Sequence, residues 1–337
     1  MAGADILFDL LLAAFLVLLA WRALAAPQLY QAAIFFIAFG LAMALAWTRM
    51  GAPDVALAEA AIGAGLLGVL LIDSLAAFTR GRRSGEAKTK ADSPADGPAK
   101  VRRMPRAPIV FAFAAGIVFT AAWTIAVLRM PDGGGLTAAA DAAMGESGVA
   151  HPVTAVLLNF RGYDTWLEVG VLLLAMLGIF CAVGKTGFER ERRPGDTDPL
   201  INWLVRALVP LMVLVSGYIL WLGKTAPGGA FQSGVILGAA GILLRIAGFR
   251  AFGLLPVWAW KAGLVFGFAV FLAIGTAALP AGRAFLEYPA ETAGAWILIV
   301  EAACALSIGF TLLAFFVCLN AASERGAGGE GEHRTMN

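Results

Sequence analysis

The chain has 337 residues, 60% hydrophobic and only 14% charged, with a formal net charge of +2. Soluble domains carry about one quarter charged residues, so this composition, with a mean hydropathy of +0.81, excludes an ordinary soluble protein. Unbroken apolar runs of about 20 residues, enough to cross a bilayer as a helix, recur throughout and exclude a membrane β-barrel, whose strands alternate over about ten residues.

An all-α, polytopic integral membrane protein is expected, with nine transmembrane helices near 4–25, 29–49, 54–78, 107–129, 164–184, 199–222, 229–248, 253–279 and 292–320. The opening MAGADILFDLLLAAFLVLLAW lacks a basic start and a cleavage site and reads as a first helix rather than a signal peptide. The third helix opens with PDVALAEAAIGAGLLGVLL. The linker that follows it, 79–106, is rich in Pro, Gly, Ser and Lys and is expected to be disordered. A second polar loop, PDGGGLTAAADAAMGESGVA, runs from Pro131 to Ala150. NFRGYDTWLEVGVLLLA, Asn159 to Ala175, enters the fifth helix and carries Glu168 about one turn into the apolar segment. TAPGGAFQSG joins the sixth and seventh helices: Pro227, Gly228 and Gly229 make a tight turn there, and Phe231 is placed to anchor it at the membrane interface.

Basic residues orient the chain. Arg80, Arg82, Arg83, Lys88, Lys90, Lys100, Arg102, Arg103 and Arg106 place the linker in the cytoplasm. Arg22, KTGFERERR at 185–193, Arg250, and Arg325 and Arg334 of the tail then fall on the same side. The acidic 131–150 loop falls outside, so the expected location is the cell inner (plasma) membrane, multi-pass, with the N-terminus outside and the C-terminus cytoplasmic.

Several motifs are excluded. Gly184-Lys185-Thr186 and Gly223-Lys224-Thr225 carry the P-loop GKT, but Ile179 and Tyr218 stand where its first glycine belongs, and both tripeptides end membrane helices. Cys181, Cys304 and Cys318 are scattered singly in apolar runs and read as packed thiols, with no zinc or iron–sulfur spacing. His151 and His333 lie in connecting or terminal segments and do not form a haem-ligating pair. No metal, no cofactor, no catalytic residue and no nucleic-acid partner are expected. Ala60, Ala64 and Gly68, and the pairs Gly234/Gly238 and Gly263/Gly267, are small-residue rows that let helix backbones approach in lipid.

The remaining chemistry is in the intramembrane charges. An acid or base at the bilayer centre costs roughly 2.5–3.5 kcal/mol on insertion scales, so it faces other helices, water or a partner charge. Asp54 and Glu59 open the third helix, Asp164 and Glu168 the fifth; Glu301 is expected near the middle of the ninth, and Lys261 in the inner part of the eighth. Asp73 and Arg245 lie near cytoplasmic ends. Asp54 and Asp164 read first as helix caps, while Lys261, Asp73 and Arg245 read equally as snorkelling or paired structural charges. Glu59, Glu168 and Glu301 have no adjacent Lys or Arg in sequence and are the stronger candidates for proton or cation handling.

These same residues carry a family resemblance. GAPDVALAEAAIGAGL, 51–66, resembles the signature of the small three-helix subunit of Mrp-type sodium/proton antiporters and related membrane-bound hydrogenase complexes. HPVTAVLLNFRGYDTWLEV, 151–169, is similar to the segment that follows it, which in antiporters belongs to the C-terminal region of the large subunit. LVRALVPLMVLVSGYILWLGKTAPGGAFQSGVILGAAGILL, 204–244, resembles the four-helix MnhB subunit. Ala58 and Ala230 stand where the family usually has threonine and glycine, and neither change removes a charge.

The resemblance implies an MbhD-like three-helix module at 1–78, an MbhE-like two-helix module at 107–198, an MnhB-like module at 199–320 and a disordered tail at 321–337. It implies a non-enzymatic subunit of a multi-component Mrp-type Na+ (or other monovalent cation)/proton antiporter, working in the bilayer with the other subunits. The alternatives are an ion-translocating subunit of a hydrogenase-like respiratory complex, or a structural scaffold. Glu168 would line a cation or proton route or a polar contact with a neighbouring subunit, with Arg161 and Asp164 at its entrance.

Overall fold

The computed structural model describes residues 2–66, 68–72, 74–75, 106–130, 135–183, 199–249 and 255–328. Asp73, the 79–105 linker, the 185–193 basic run, Arg250 and the end of the tail lie outside the described residues. Those described form helices and turns, with no strand among them. The helices are α1 (Ala2–Ala25), α2 (Leu29–Arg49), α3 (Pro53–Ala58), α4 (Arg106–Leu128), α5 (Thr137–Ala143), α6 (Pro152–Ala155), α7 (Gly162–Val183), α8 (Pro199–Leu222), α9 (Ala230–Ile246), α10 (Val257–Ala277) and α11 (Ala293–Gly328). Among the described residues seven helical segments are long and apolar enough to cross a membrane; two of the expected nine, at Ala114–Leu128 and Ala230–Ile246, are shorter apolar helices.

α1 and α2 pack together as a hairpin. Arg49, in the last turn of α2, grips Asp9 near the start of α1 with two parallel bonds, Nε–Oδ1 at 2.8 Å and Nη2–Oδ2 at 3.1 Å. A cation at that position also suits the negative end of the α2 dipole. α3 starts with Pro53 at its first position, where the missing N–H costs nothing. It then passes into a π-helix, Glu59–Leu66, a conformation found mostly as single-turn bulges near functional sites. Gly68 from the small-residue row beyond it meets Ile37 of α2.

The core is built around α11, which packs on α9, α10 and α7. Its membrane segment is 67% buried inside the chain, against 6% for α1. Both expected glycine pairs serve this packing. A Cβ on Gly234 would lie 2.8 Å from Ala305 O and Ile308 Cβ, and one on Gly238 3.0 Å from Leu312 Cβ. Gly263 faces the Phe310 ring, and Gly267 faces Ser307 Cβ, Cys304 Cα and Ala303 O. Cys304 and Cys318 are buried, as packed thiols should be, whereas Cys181 is exposed on α7, against expectation. α4 stands apart: its residues 114–128 are all exposed.

Overpacking a close helix contact costs typically 1–3 kcal/mol. Gly267→Ala places its methyl 2.8 Å from Ser307 Cβ and is therefore expected to lower the thermal midpoint of the purified protein in detergent. Gly217→Ala, which meets nothing within 4 Å, should leave it unchanged.

Candidate functional site

One end of the core gathers residues from all three expected modules. The turn between α8 and α9 is folded tightly enough that only glycine fits. A Cβ on Gly228 would lie 2.5 Å from Ile219 O, and one on Gly223 2.8 Å from Gly229 Cα. Gly229 has φ +112, a region L side chains rarely adopt. Its N–H donates back to Ile219 O at 3.1 Å, closing the turn under the first residue of α9. Phe231 is partly buried and packs against the core.

Asp54 enters this turn from α3. It does not cap its own helix, which has no side-chain cap. Its Oδ1 accepts the Gly228 N–H at 3.2 Å, and its Oδ2 meets His151 Nε2 at 2.9 Å. The two paired side chains are only 14% and 12% exposed. Gln232, near the start of α9, donates through Nε2 to the Asp54 backbone carbonyl at 3.4 Å. The segment bearing His151 is stitched to the same turn: Ala150 and His151 N–H both donate to Lys224 O at 2.9 Å. Thr154 Oγ1 donates to Gly223 O.

Glu301 reaches the other side of the turn. It lies in the first half of the Ala293–Cys318 span rather than near its middle, level with the N-terminus of α9. The residue is 2% exposed. Its Oε1 sits where a Gly229 Cβ would come within 2.8 Å, and the Ala230 backbone N–H lies beside the carboxylate. Only the Ala230 backbone is used, so alanine serves there as well as glycine. The Glu301 Oε2 is buried and has no hydrogen-bond partner among the described residues. Lys224 is the cation whose charge acts on it. The positive end of the α9 dipole thus lies between two carboxylates, a place that favours negative charge.

The other expected residues lie elsewhere. Glu59 is partly buried at the start of the π-helix, its carboxylate folded back over Gly63 so closely that a Cβ there would overlap it. Asp164 is exposed and paired with Arg161 through Nη2, a surface pair worth little to stability. Glu168 is exposed on α7 and is not enclosed by the described helices of this chain. Lys261 is exposed on α10, and Arg245 is partly buried in the last turn of α9. Among the described residues no three His, Cys, Asp or Glu side chains converge as metal ligands would.

Sequence reasoning missed His151, Thr154, Gln232 and Lys224. The signal for His151 was its place before Pro152, at the mouth of a membrane segment. Its partner, 97 residues earlier in the chain, leaves no local pattern. Two further buried polar atoms, Trp166 Nε1 and Tyr288 Oη, also have no partner among the described residues. Burial, and then the nearby Cys304 thiol, pushes the Tyr288 hydroxyl above its usual range. Trp166 stacks on Phe268 at 5.0 Å and meets Phe285 edge-on, tying α7 to α10 and the loop beyond it.

Residues 14–80 match the MbhD family, described as the D subunit of MBH, and residues 200–322 match the "Domain related to MnhB subunit of Na+/H+ antiporter". An uncharacterised protein of Methanocaldococcus jannaschii is 29% identical over 116 residues, covering 29% of this chain and 44% of that protein. The solved Mrp complex of Dietzia sp. DQ12-45-1b contains a chain of the same fold, with a TM-score of 0.68 and 24% identity over 92% of this chain and 34% of that one. This chain therefore spans less than half the length of either relative.

Contacting residues in one network couple by about 0.5–3 kcal/mol. A double-mutant cycle with Asp54→Ala and His151→Ala, read by unfolding in detergent, is expected to give a coupling in that range. Additive effects of the two substitutions would show that the clasp does not hold the segments together.

Proposed function

We propose that this chain, which joins an MbhD-type domain to an MnhB-related domain, works as a membrane subunit of a multi-subunit Mrp-type cation/proton antiporter. It carries no chemistry of its own and contributes part of the ion or proton route, together with assembly surfaces for the remaining subunits. Sodium is the leading cation. Residues 107–198 form an MbhE-like middle module in this reading.

The observation that carries it is Glu301. A carboxylate enclosed in a membrane core, with one oxygen on a helix N-terminus and the other unpartnered, is costly unless that oxygen exchanges a proton or cation. Asp54 and His151 stand on the far side of the same turn and offer titratable groups toward the membrane surface. Glu59, the first residue of the π-helix that continues α3, is the next carboxylate along the chain. Asp54, Glu59 and Glu301 are the residues through which the route is proposed to run. Lys261, Asp164 and Asp73 keep secondary places in it, at the inner or outer ends.

The match of residues 14–80 to the D subunit of MBH favours one second reading. The same module would then serve a redox-linked, hydrogenase-like complex. Subunits that co-purify with this chain separate the two. A purely structural scaffold is the third reading, and it predicts that the carboxylates can be neutralised without loss.

Orientation belongs to the same proposal: N-terminus outside, linker and C-terminus cytoplasmic. Ser147 is fully buried and is unsuited to a labelling test, whereas Glu146 is exposed in the same loop. Glu146→Cys is expected to react with an impermeant maleimide added to intact cells, and Ser93→Cys only after the membrane is opened; the opposite pattern inverts the topology.

Glu301→Gln preserves size and polarity but removes the titration. In everted vesicles containing the assembled complex, it is expected to lower cation-driven proton flux at least tenfold, with Glu301→Asp retaining part of the activity. Full flux in the Gln variant, with normal assembly on a blot, would remove Glu301 from the route and favour the scaffold.

A further inference from the structure

α7 turns two different faces to its surroundings. Trp166, Val169, Leu172, Met176 and Ile179 pack into the core. On the opposite side Glu168, Val171, Ala175 and Gly178 follow one another at three- and four-residue steps, all exposed. Glu168 lies six residues inside the helix, about 9 Å from its start at 1.5 Å per residue, within the Gly162–Cys181 span. It has no ion pair or hydrogen bond among the described residues. Arg161, the cation on this face, is already held by Asp164 Oδ2. Hydrocarbon does not solvate a carboxylate, and intramembrane acids as a rule pair with a partner charge.

Beside the carboxylate, Ala175 and Gly178 leave the face flat: a Cβ on Gly178 would meet nothing within 4 Å. Flat small-residue faces let a second helix backbone approach closely in lipid. We infer that this face of α7 seats a transmembrane helix from a different polypeptide of the complex, and that this helix carries a lysine or arginine that pairs with Glu168. The inference rests on the multi-subunit reading above and adds to it the chemistry of one contact. The charge selects which helix docks and at what depth, because a one-turn slip separates the two charges by about 5.4 Å. Glu168 is then an assembly residue, in contrast to the enclosed Glu301.

The test uses the assembled complex purified through this chain. Val171 is replaced by a photoreactive benzoylphenylalanine, and the adduct is mapped by mass spectrometry. The expected result is a cross-link to one other polypeptide, on a membrane helix with a Lys or Arg within about one turn of the adduct. Glu168→Lys is expected to reduce recovery of that polypeptide at least tenfold, and reversing the partner's basic residue to glutamate should restore it. Adducts on lipid alone, a cross-linked helix without a basic residue in reach, or an unchanged set of subunits in Glu168→Lys would each overturn the inference. A wild-type chain that purifies without other subunits overturns the multi-subunit reading and this inference with it. An intact complex without the cross-link overturns only the inference.

Discussion

The arrangement of this protein depends on a single carboxylate. Asp54 accepts a backbone N–H from the α8–α9 turn with one oxygen and meets the His151 imidazole with the other. Three stretches of chain, separated by a linker and by whole membrane helices, are thereby fixed at one level. A charge in so shielded a place is tolerated only while both partners are present. Removing one partner of a buried pair commonly costs about 3–5 kcal/mol, because the other is left uncompensated. The Lys224 carbonyl, which accepts from both Ala150 and His151, and Thr154, bonded to Gly223, hold the same junction through the backbone. The clasp is thus polar at its centre and keeps its geometry from glycines that admit no side chain.

That geometry decides where Glu301 can be. With Gly229 lacking a Cβ, the α11 carboxylate comes up against the start of α9, where unsatisfied N–H groups point outward. The approach of α11 depends in turn on Gly234, Gly238 and Gly267, which remove side chains from the α9–α11 and α10–α11 contacts. Packing and electrostatics are therefore one design here. The glycines that let the helices close also bring Asp54 and Glu301 to the two sides of one helix terminus. A bulkier residue in the turn would act on the site through Glu301's position without changing any charge.

Much of this was legible in the sequence, and the rest was hidden for physical reasons. Helix positions follow from apolar length, which the bilayer imposes directly. The glycine pairs and the Pro227–Gly229 turn were readable as close approaches, because no other residue type serves. Glu301 stood out as a charge that lipid does not tolerate. Asp54 was misread as a cap, since local spacing cannot show that its partners are His151 and the Gly228 N–H far along the chain. His151 looked idle for the same reason. The direction in which Glu168 points was also hidden. α7 is apolar on every side, so hydropathy gives no face, and only the packing of Trp166, Val169 and Met176 against the core reveals which side is left. The π-helix at Glu59–Leu66 has no composition signature, because a shift in hydrogen-bond register changes no residue type.

The two glutamates that define the interior and the exterior of this chain illustrate a general constraint on membrane subunits. A carboxylate in a bilayer needs something to answer its charge, and what answers it tells where it belongs. Around Glu301 the chain supplies the answer for one oxygen, through the α9 terminus, and encloses the other among its own helices. Around Glu168 the described residues supply no partner, and Val171, Ala175 and Gly178 beside it are exposed. A group enclosed by its own chain is suited to exchange. A group left open on a helix face is suited to recognition. In the proposed reading the same residue type serves transport in one helix and assembly in another, and enclosure by neighbouring helices separates the two roles.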